Sequence, residues 1–193
     1  MIKSFETVSS GDERNRFIHV PKFPVNYAQF YLVSNSSQSW DPGFHASKPG
    51  IRRSREPGPH SPGPGILRVD PGQAFLVTGL ATGVIDLTVS FHHDAPAPLL
   101  AHYEDVVEAS LEIDGDRLQV AAWGGAAHID LESVVPVPNW LRLRYHARDM
   151  DRAYDATSDV PLDSFHLQIW VAPRQDSEVL AATSATAKRW LSK

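Results

Sequence analysis

Apolar and polar residues alternate with a period of two through most of this chain. This period is typical of strands that bury one face, because successive side chains of a strand point to opposite sides of the sheet. Turn-forming residues, mainly Gly, Pro, Asn and Asp, separate the alternating segments. The segments with this pattern are FIHV, AQFYLVS, GILRV, AFLVTGL, VIDLTVSFHH, DVVEASLEI, RLQVAAW, AHIDL, LRLRYHAR and SFHLQIWV.

Two prolines lie between the first two segments, in the stretch PKFPVNY at residues 21–27. Proline lacks the backbone N–H that a central strand donates to its neighbour. We therefore expect the chain to leave the strand conformation here, so that FIHV and AQFYLVS form separate strands.

Residues 176–191 carry the helical pattern of the chain. Asp176 or Ser177 can cap the N-terminus, and Lys188 and Arg189 in the last turn match the negative end of the helix dipole. About ten strands followed by one helix predict an all-β fold. The expected architecture is an antiparallel β-sandwich, or a partly open barrel, with a C-terminal α-helix.

The same patterning divides the chain into parts. Residues 1–16 are polar without either period and predict a flexible N-terminal segment, residues 17–175 predict a single β-sandwich domain, and residues 176–193 predict the helix. Within the domain, residues 35–65 also lose both periods, and the last 25 of them hold five Gly and six Pro. We expect a long Pro/Gly-rich loop with a basic centre, which is either a solvated insertion or a binding arm.

Composition limits the function classes. The 193 residues include no Cys, which excludes disulfides, thiolate metal sites and cysteine nucleophiles and is compatible with a reducing cytoplasm. A net charge of −5 argues against general nucleic-acid binding, since neutralising phosphates needs a clustered basic surface. The chain has no run of about 18 apolar residues and no signal-peptide core, so we expect a soluble, cytoplasmic protein without a membrane partner.

Sequence motifs of common enzymes are absent. The chain has no Gly-rich phosphate loop that leads into a helix, no G-x-S-x-G and no H-E-x-x-H. Adjacent His92 and His93 would point to opposite faces of a strand, whereas a strand-borne metal site usually uses His-x-His. We therefore predict no catalytic residue, no metal ligand and no cofactor. The alternative is a small-ligand-binding or metal-dependent β-sandwich enzyme that uses histidines near His92 and His93.

Carboxylates are concentrated in residues 104–132, which contain eight of them and one Arg. Glu108 and Glu112 share a strand face but lie roughly 13 Å apart, beyond the roughly 5–10 Å that separates a glycosidase acid from its base. Two other roles remain. The glutamates form a cross-strand ladder with outward Arg142 and Arg144, or they belong to an acidic face that binds a basic partner. A domain with no partner-specific site is a third interpretation.

The pattern and order of five segments resemble the competence protein J family over about residues 25–175. The segments are VNYAQFYLVS, GILRVDPGQAFLVTGLATGVIDLTVSF, EASLEI, AHIDLESVVPVPNWLRLRYHARD and SFHLQIWVAPRQ, of which the last, with IWVAP, matches best. The family consists of small bacterial proteins known as inhibitors of the competence nuclease. The resemblance implies a non-enzymatic β-sandwich of the inhibitor or immunity type, in which an acidic face occludes a site that normally receives DNA. The loop 35–65 and the C-terminal helix lie outside the pattern.

We therefore predict a bacterial inhibitor that binds a basic protein, a nuclease or a toxin, and neither nucleic acid nor a membrane. The sequence does not indicate the oligomeric state. The predicted partner-binding surface combines acidic residues on and beside one hairpin with two tryptophans at outward positions. These residues are Glu104, Asp105, Glu108, Glu112, Asp114, Asp116, Trp123 and Trp170.

Overall fold

The alternating segments assemble into one curled sheet. The computed structural model describes residues 15–35, 63–113, 117–125, 127–131 and 139–192. These residues form a half-barrel of mixed strand direction with a single C-terminal helix. The predicted all-β fold with a C-terminal helix is confirmed, in its partly open barrel form.

Twelve strands and one α-helix make up the described residues. A short 3₁₀ turn, Trp123–Gly125, lies between β7 and β8. In this part of the chain, no helix has the length and hydropathy needed to cross a bilayer. The elements are β1 (Arg16–Asn26), β2 (Gln29–Asn35), β3 (Leu67–Asp70), β4 (Gln73–Val77), β5 (Thr82–His92), β6 (Asp105–Ile113), β7 (Arg117–Ala122), β8 (His128–Asp130), β9 (Asn139–Arg148), β10 (Thr157–Ser158), β11 (Ser164–Val171), β12 (Glu178–Ala182) and α1 (Ala185–Leu191).

The sheet consists of two parts joined by the β1–β2 turn. One part has the order β12-β6-β9-β11-β5-β1, and in the other β2 lies between β4 and β7, with β3 beside β4 and β8 beside β7. Neighbouring strands are antiparallel, except that β10 and β11 run parallel to β5. The two parts curl toward each other, and the Gly72 N–H donates a hydrogen bond to the Glu112 carbonyl of β6 at 2.8 Å.

Apolar side chains from both parts fill the space between them. Phe23 and Phe30 pack edge to face with ring centroids 5.7 Å apart, and Tyr145 stacks on Phe165 at 5.5 Å. Phe30 also contacts Tyr145, with centroids 5.9 Å apart. Because aromatic rings bury large apolar areas, this cluster holds the β1–β2 region against β9 and β11.

β1 continues through both prolines, so the break expected within residues 21–27 comes only at the turn itself. The ladder between β1 and β5 shifts register between Val20 and Phe23, and this β-bulge contains the first proline. On its other side β1 pairs with β2 only at its last residue, Asn26. A bulged strand with one largely free edge tolerates proline, because few of its N–H groups are needed as donors.

The helix predicted over residues 176–191 is shorter in the structure. Residues Glu178–Ala182 instead form β12, which pairs with β6, and α1 begins at Ala185. Ser184 caps the helix, since its hydroxyl accepts a hydrogen bond from the Ala187 N–H at 2.9 Å. The open edge of β6 offers backbone partners to the incoming chain, and this pairing outweighs the helical pattern.

Parts of the sequence prediction lie outside the described residues. They are nearly all of the flexible segment predicted for residues 1–16 and most of the loop predicted for 35–65. Asp114 and Asp116 of the predicted binding surface also lie outside them. These points stay predictions.

The β1–β2 turn has an unusual backbone. Its two central residues, Tyr27 and Ala28, have φ angles of 57° and 54°, in the left-handed region. Positive φ at both central residues is the signature of a type I′ turn, which suits two-residue hairpins and favours Asn and Gly. For other residues such a conformation costs about 1–3 kcal/mol. The stability of the turn alone therefore does not explain why Tyr and Ala occupy it.

Replacing Ala28 by Gly is expected to stabilise the protein. Gly adopts positive φ without a steric cost, and the backbone hydrogen bonds of residue 28 with Ala81 and Thr78 are kept. We expect the free energy of unfolding, measured by urea denaturation, to rise by about 0.5–1 kcal/mol. Unchanged or lower stability of Ala28→Gly would show that the turn is not strained.

Candidate functional site

The outer face of β6, β9 and β11 is covered, contrary to the expectation that it meets solvent. Two connecting segments cross this face: residues 93–104, named here the strap, between β5 and β6, and residues 172–177 between β11 and β12. Ser110, Arg142 and Gln168 on this face are all buried. Polar side chains are thus enclosed between the sheet and two backbone segments.

Two arginines of β9 attach these segments to the sheet. Arg144 Nη1 donates to the Pro96 carbonyl of the strap at 2.5 Å, and Arg142 Nη1 donates to the Asp176 carbonyl at 2.9 Å. Their Nε atoms share the carboxylate of Glu108, with Arg142 Nε 2.8 Å from Oε2 and Arg144 Nε 2.5 Å from Oε1. All three side chains are more than nine-tenths buried. One carboxylate therefore stands between two guanidinium groups in a position shielded from water.

The predicted cross-strand ladder is confirmed for one of its two glutamates. Glu108 lies opposite Arg144 in the β6–β9 register, whereas Glu112 lies opposite Trp140 and is exposed. The ladder is consequently a buried cluster rather than a row of solvated surface pairs, and removing its one carboxylate would leave uncompensated charge.

Asp105 and Trp170, two further members of the predicted binding surface, are also buried. Asp105 Oδ1 accepts from the Ser184 N–H at 3.1 Å and its Oδ2 from the Ser184 hydroxyl at 2.6 Å, so it holds the chain where α1 begins. The Arg144 guanidinium lies over the Trp170 ring, 4.9 Å from its centroid. The expectation that Asp105, Glu108 and Trp170 point into solvent is therefore wrong, because the connecting segments cover Glu108 and Trp170 and the chain at the start of α1 covers Asp105.

Three members of the predicted surface keep contact with solvent, and they lie apart. Glu104 ends the strap directly before β6, and its Oε2 accepts from the Asp149 N–H at 3.2 Å. Glu112 lies near the opposite end of β6, and Trp123 follows β7. The structure does not bring these residues together into one acidic face.

A histidine cluster lies on the covered face. Ser90 Oγ of β5 lies 2.8 Å from His92 Nε2 and 2.7 Å from His166 Nε2. His146 Nδ1 donates to the His166 carbonyl at 3.0 Å, and its Nε2 accepts from the Leu99 N–H of the strap at 3.2 Å. Both ring nitrogens of His146 thus have a partner, which selects the neutral tautomer with its proton on Nδ1.

The cluster is uncharged at neutral pH. Burial lowers the pKa of His146 to about 4 and the pKa of His166 to about 3. Burial, and then the nearby Arg144, lower the pKa of His92 as well. Neutral imidazoles are able to bind metal ions, but the described residues contain no group of three or more His, Cys, Asp or Glu side chains that could hold one.

Of the two histidines in the alternative site, His92 belongs to this cluster and His93 does not. His93 is exposed and lies 3.1 Å from the carboxylate of Asp94, away from His92 and Ser90. Sequence reasoning missed His146 and His166 as cluster members. The pairing of β9 with β11 brings these two histidines together, because it places His146 directly opposite His166.

Several connecting segments meet at one end of the half-barrel, named here the hairpin end. The Ala28 N–H of the β1–β2 turn donates to the Ala81 carbonyl at 3.0 Å, and the Ala81 N–H donates to the Ala156 carbonyl at 2.9 Å. β7 ends beside the start of β2 and brings the following segment to the same place. The hairpin end comprises the β1–β2 turn, residues 78–82, residues 123–125, residues 127–128 and residues 149–163.

Backbone strain is concentrated at the hairpin end. In the part of the chain that the structure describes, the non-glycine residues with positive φ are Tyr27, Ala28, Asp149 and Asp155. All of them belong to this end. Strained residues persist where surrounding structure holds them, and they cluster at functional sites.

Asp163 is the group that holds the hairpin end in place. Its Oδ2 accepts hydrogen bonds from the Gly79 and Leu80 N–H groups, both at 2.9 Å, while its Oδ1 is buried without a hydrogen-bond partner among the described residues. Burial raises the pKa of Asp163 to about 6. Gly79 also lies so close to Met150 that an added Cβ would meet the Met150 carbonyl oxygen at 2.2 Å. The two segments therefore pack backbone against backbone.

Two exposed aromatic rings stand on this rigid end. Tyr27 is 69% exposed and Trp123 is 42% exposed, and their ring centroids lie 4.7 Å apart in an edge-to-face arrangement. We name them the aromatic pair. Tyr154 is exposed to a similar degree, but the Arg189 guanidinium lies 4.3 Å from its ring centroid. The aromatic pair thus presents rings without a cation over them in the described residues.

Acidic residues outnumber basic ones at the hairpin end, where Arg152 is the one Lys or Arg. Residues 23–31, 77–86, 118–131 and 153–163 contain no Lys or Arg. Asp163 is the buried acidic residue among them. The acidic residues that reach solvent are Asp86, Asp130, Asp155 and Asp159.

Replacing Glu108 by Gln is expected to destabilise the protein by about 3–5 kcal/mol, because two buried guanidinium groups lose their counter-charge. Glu112→Gln, on the same strand and exposed, is the matched control and should change the free energy of unfolding by less than about 0.5 kcal/mol. Urea denaturation of both variants measures the difference. Equal effects of the two substitutions would contradict the buried cluster.

Replacing Asp163 by Asn is expected to change how stability depends on pH. The pKa of Asp163 is raised to about 6 in the folded protein, so the wild type loses stability as pH rises from about 4 through 6. Asn keeps an acceptor for the Gly79 and Leu80 N–H groups and does not ionise. Between pH 4 and pH 8 the variant should therefore gain about 3 kcal/mol relative to wild type, measured by urea denaturation. Parallel pH profiles would show that Asp163 is not perturbed.

Comparisons with known proteins give limited information on this chain. No protein-family model and no curated protein matches it. Among solved structures, a chain described as Crocagin biosynthetic gene J is similar in fold, with a TM-score of 0.48 and 14% sequence identity. The similarity covers 80% of this chain and 97% of the other. The resemblance to the competence protein J family stays a prediction.

Proposed function

We propose that this chain is a cytoplasmic, non-enzymatic binding protein of the inhibitor or immunity type, whose partner is a basic protein such as a nuclease or toxin. Its docking surface is the hairpin end, with Tyr27 and Trp123 as anchors. The observation that carries this proposal is the exposed aromatic pair, held on a strained turn and surrounded by segments in which acidic residues outnumber the single Arg152.

The aromatic pair has the properties of binding anchors. Exposed rings such as Tyr27 and Trp123 add nothing to a core, whereas Tyr and Trp are the residues that most often carry the binding energy of protein interfaces. The strain at residues 27 and 28 adds a cost of about 1–3 kcal/mol per residue that Asn-Gly would avoid. Because the turn is fixed before binding, the two rings are already ordered. Binding a partner therefore costs them little conformational entropy.

Charge complementarity favours a basic partner. Thr82 pairs with Asn26 on one side and with Thr157 on the other, so the acidic loop lies two strand spacings, roughly 10 Å, from the turn. Asp155 and Asp159 therefore lie within the footprint of an ordinary protein interface centred on the rings. Acidic groups at the rim of such a surface speed association with a basic protein and repel nucleic acid.

The proposed surface replaces the acidic hairpin face of the sequence prediction. Trp123 is the member of that face that belongs to the new surface. Glu104 lies at the margin of the new surface, where its side chain accepts a hydrogen bond from the Asp149 N–H. The inhibitor type itself rests on the resemblance to the competence protein J family. A surface that carries acidic groups and aromatic anchors suits the occlusion of a basic site that normally receives DNA.

A second candidate function is small-molecule binding or catalysis at the histidine cluster. The observation that favours it is the convergence of His92 and His166 on the hydroxyl of Ser90. Ser90 is fully buried, so this function needs the strap to move before a ligand could reach the cluster. Binding at the hairpin end needs no such rearrangement, which is why it is the leading proposal.

The test is purification of the tagged chain from its native lysate, with identification of bound protein and measurement of bound metal in the same sample. A stoichiometric basic nuclease or toxin, inhibited by the purified chain, supports the proposal. Tyr27→Gly, which suits the positive φ, and Trp123→Ala should each weaken binding of that partner by about 30-fold or more.

Matched controls separate loss of the anchors from loss of the fold. Ala28→Gly changes the same turn and keeps both rings, and Val171→Ala removes an exposed apolar side chain outside the hairpin end. Both should bind the partner like wild type. Bound metal without a protein partner, or undiminished binding by Tyr27→Gly and Trp123→Ala, would contradict the proposal.

A further inference from the structure

The strap is held over the sheet by a small number of contacts. Most of its residues are exposed, and it contains no regular secondary structure. Three hydrogen bonds fasten it to β9: the Leu99 N–H donates to His146 Nε2, Arg144 Nη1 donates to the Pro96 carbonyl, and the Glu104 N–H donates to the Ala147 carbonyl. Segments with few buried apolar contacts open locally at low free-energy cost.

His146 is the titratable contact among these. Its Nε2 acts as an acceptor, and its Nδ1 is already committed as a donor to the His166 carbonyl. A second proton on Nε2 turns this acceptor into a donor that faces the Leu99 N–H. The protonated ring therefore repels the strap at the point where the neutral ring holds it.

We propose that the strap is an acid-sensitive latch: it leaves the outer face of the sheet when His146 takes up a second proton, while the half-barrel stays folded. Opening uncovers His146, removes the Tyr103 ring from His166 and removes the Pro96 carbonyl from Arg144. The inference does not depend on the proposed docking at the hairpin end.

Groups on every neighbouring element determine how readily His146 is protonated. On β9 itself Arg144 opposes protonation of His146, and on β6 Glu108 favours it. On β11 the His166 carbonyl accepts the hydrogen bond that His146 Nδ1 donates. On the strap the Tyr103 ring lies against His146 with centroids 5.2 Å apart, and burial under this ring disfavours the charged form most.

Two further charged or titratable groups lie near His146 but outside its direct contacts. The Arg148 guanidinium lies 6.0 Å from the centroid of the Tyr103 ring, and His92 lies beyond His166 across the Ser90 hydroxyl. Arg148 is cationic and His92 is neutral at pH 7 with a lowered pKa, so neither stabilises a proton on His146. With the strap closed, the groups that stabilise a proton on His146 are Glu108 and the His166 carbonyl.

The size of the effect follows from linkage. The pKa of His146 is lowered to about 4 in the closed state, whereas an imidazole in water has the ordinary value of 6.5. The opening equilibrium therefore rises by up to tenfold for each pH unit below 6.5 and about 100-fold between pH 7 and pH 4. Above pH 6.5 it is independent of pH. Protonation of the uncovered His166 increases the effect further.

Hydrogen exchange of the full chain, followed by mass spectrometry and corrected for the intrinsic pH dependence of exchange, tests the proposal. Between pH 7 and pH 4.5 the strap amides at residues 99–104 should lose about 60-fold in protection. Amides of β5 and β11, such as Val89 and Leu167, should keep theirs. A flat profile for the strap, or loss of protection in strap and strands together, would overturn the latch.

Variants assign the effect to His146. His146→Phe keeps a ring against Tyr103 but no acceptor, so strap exchange should be fast at pH 7 and no longer follow pH. Leu99→Pro removes the same hydrogen bond from the strap side without changing the sheet, and should give the same flat profile. His102→Asn, at an exposed histidine on the strap, should keep the wild-type profile. A wild-type pH profile in either His146→Phe or Leu99→Pro would assign the titration to another group and overturn the proposal.

Discussion

The carboxylate of Glu108, held between Arg142 and Arg144, is the interaction on which the outer half of this structure depends. It fixes the register of β6 against β9 from a buried position. Each guanidinium then has N–H groups left over, and the backbone carbonyls of Pro96 and Asp176 accept from them. Because a buried guanidinium without acceptors is costly, both connecting segments are drawn onto the sheet. The covered histidine cluster is a consequence of that attachment.

Alternation in the sequence was sufficient for the strands other than β10 and β12 and for the assignment of faces, as β9 shows. Arg142, Arg144 and His146 do lie on the side of β9 opposite the core, as their spacing predicts. Periodicity says which side chains share a face but contains no information on what covers that face. The strap appears in the sequence only as a Pro-rich connector, so its contacts with β9 could not be foreseen.

Longer-range pairing limited the prediction in two other places. The parallel pairing of β11 with β5 brings His166 beside Ser90, 76 positions away in sequence, and no local pattern indicates it. The residues of β12 look helical by themselves and become a strand because β6 has an open edge. In both cases tertiary contacts decide between conformations of similar local free energy.

Tyr27, the proposed docking residue, was missed because the sequence pattern did not predict the two-residue connection between β1 and β2. A two-residue connection between β1 and β2 requires positive φ at its central positions, because only primed turns match the strand twist. Tyr and Ala at those positions conflict with that requirement, and such conflicts are typical of functional positions. Trp123 was predicted to face outward from its place in the alternating pattern of β7. Its contact with Tyr27 follows only from the pairing of β2 with β7.

The covered face and the hairpin end are physically connected through Glu104. This residue ends the strap, and its carboxylate accepts from the N–H of Asp149, which itself has a positive φ of 64°. When the strap leaves the sheet, this strained residue loses an acceptor unless Glu104 stays in place through its own backbone bond to Ala147. The Glu104 backbone contact therefore determines whether protonation of His146 remains a local event or also loosens the loop that carries Asp155 and Asp159. A single hydrogen bond contributes about 1 kcal/mol, so any coupling through it is modest, and binding at the hairpin end would oppose opening of the strap to the same extent.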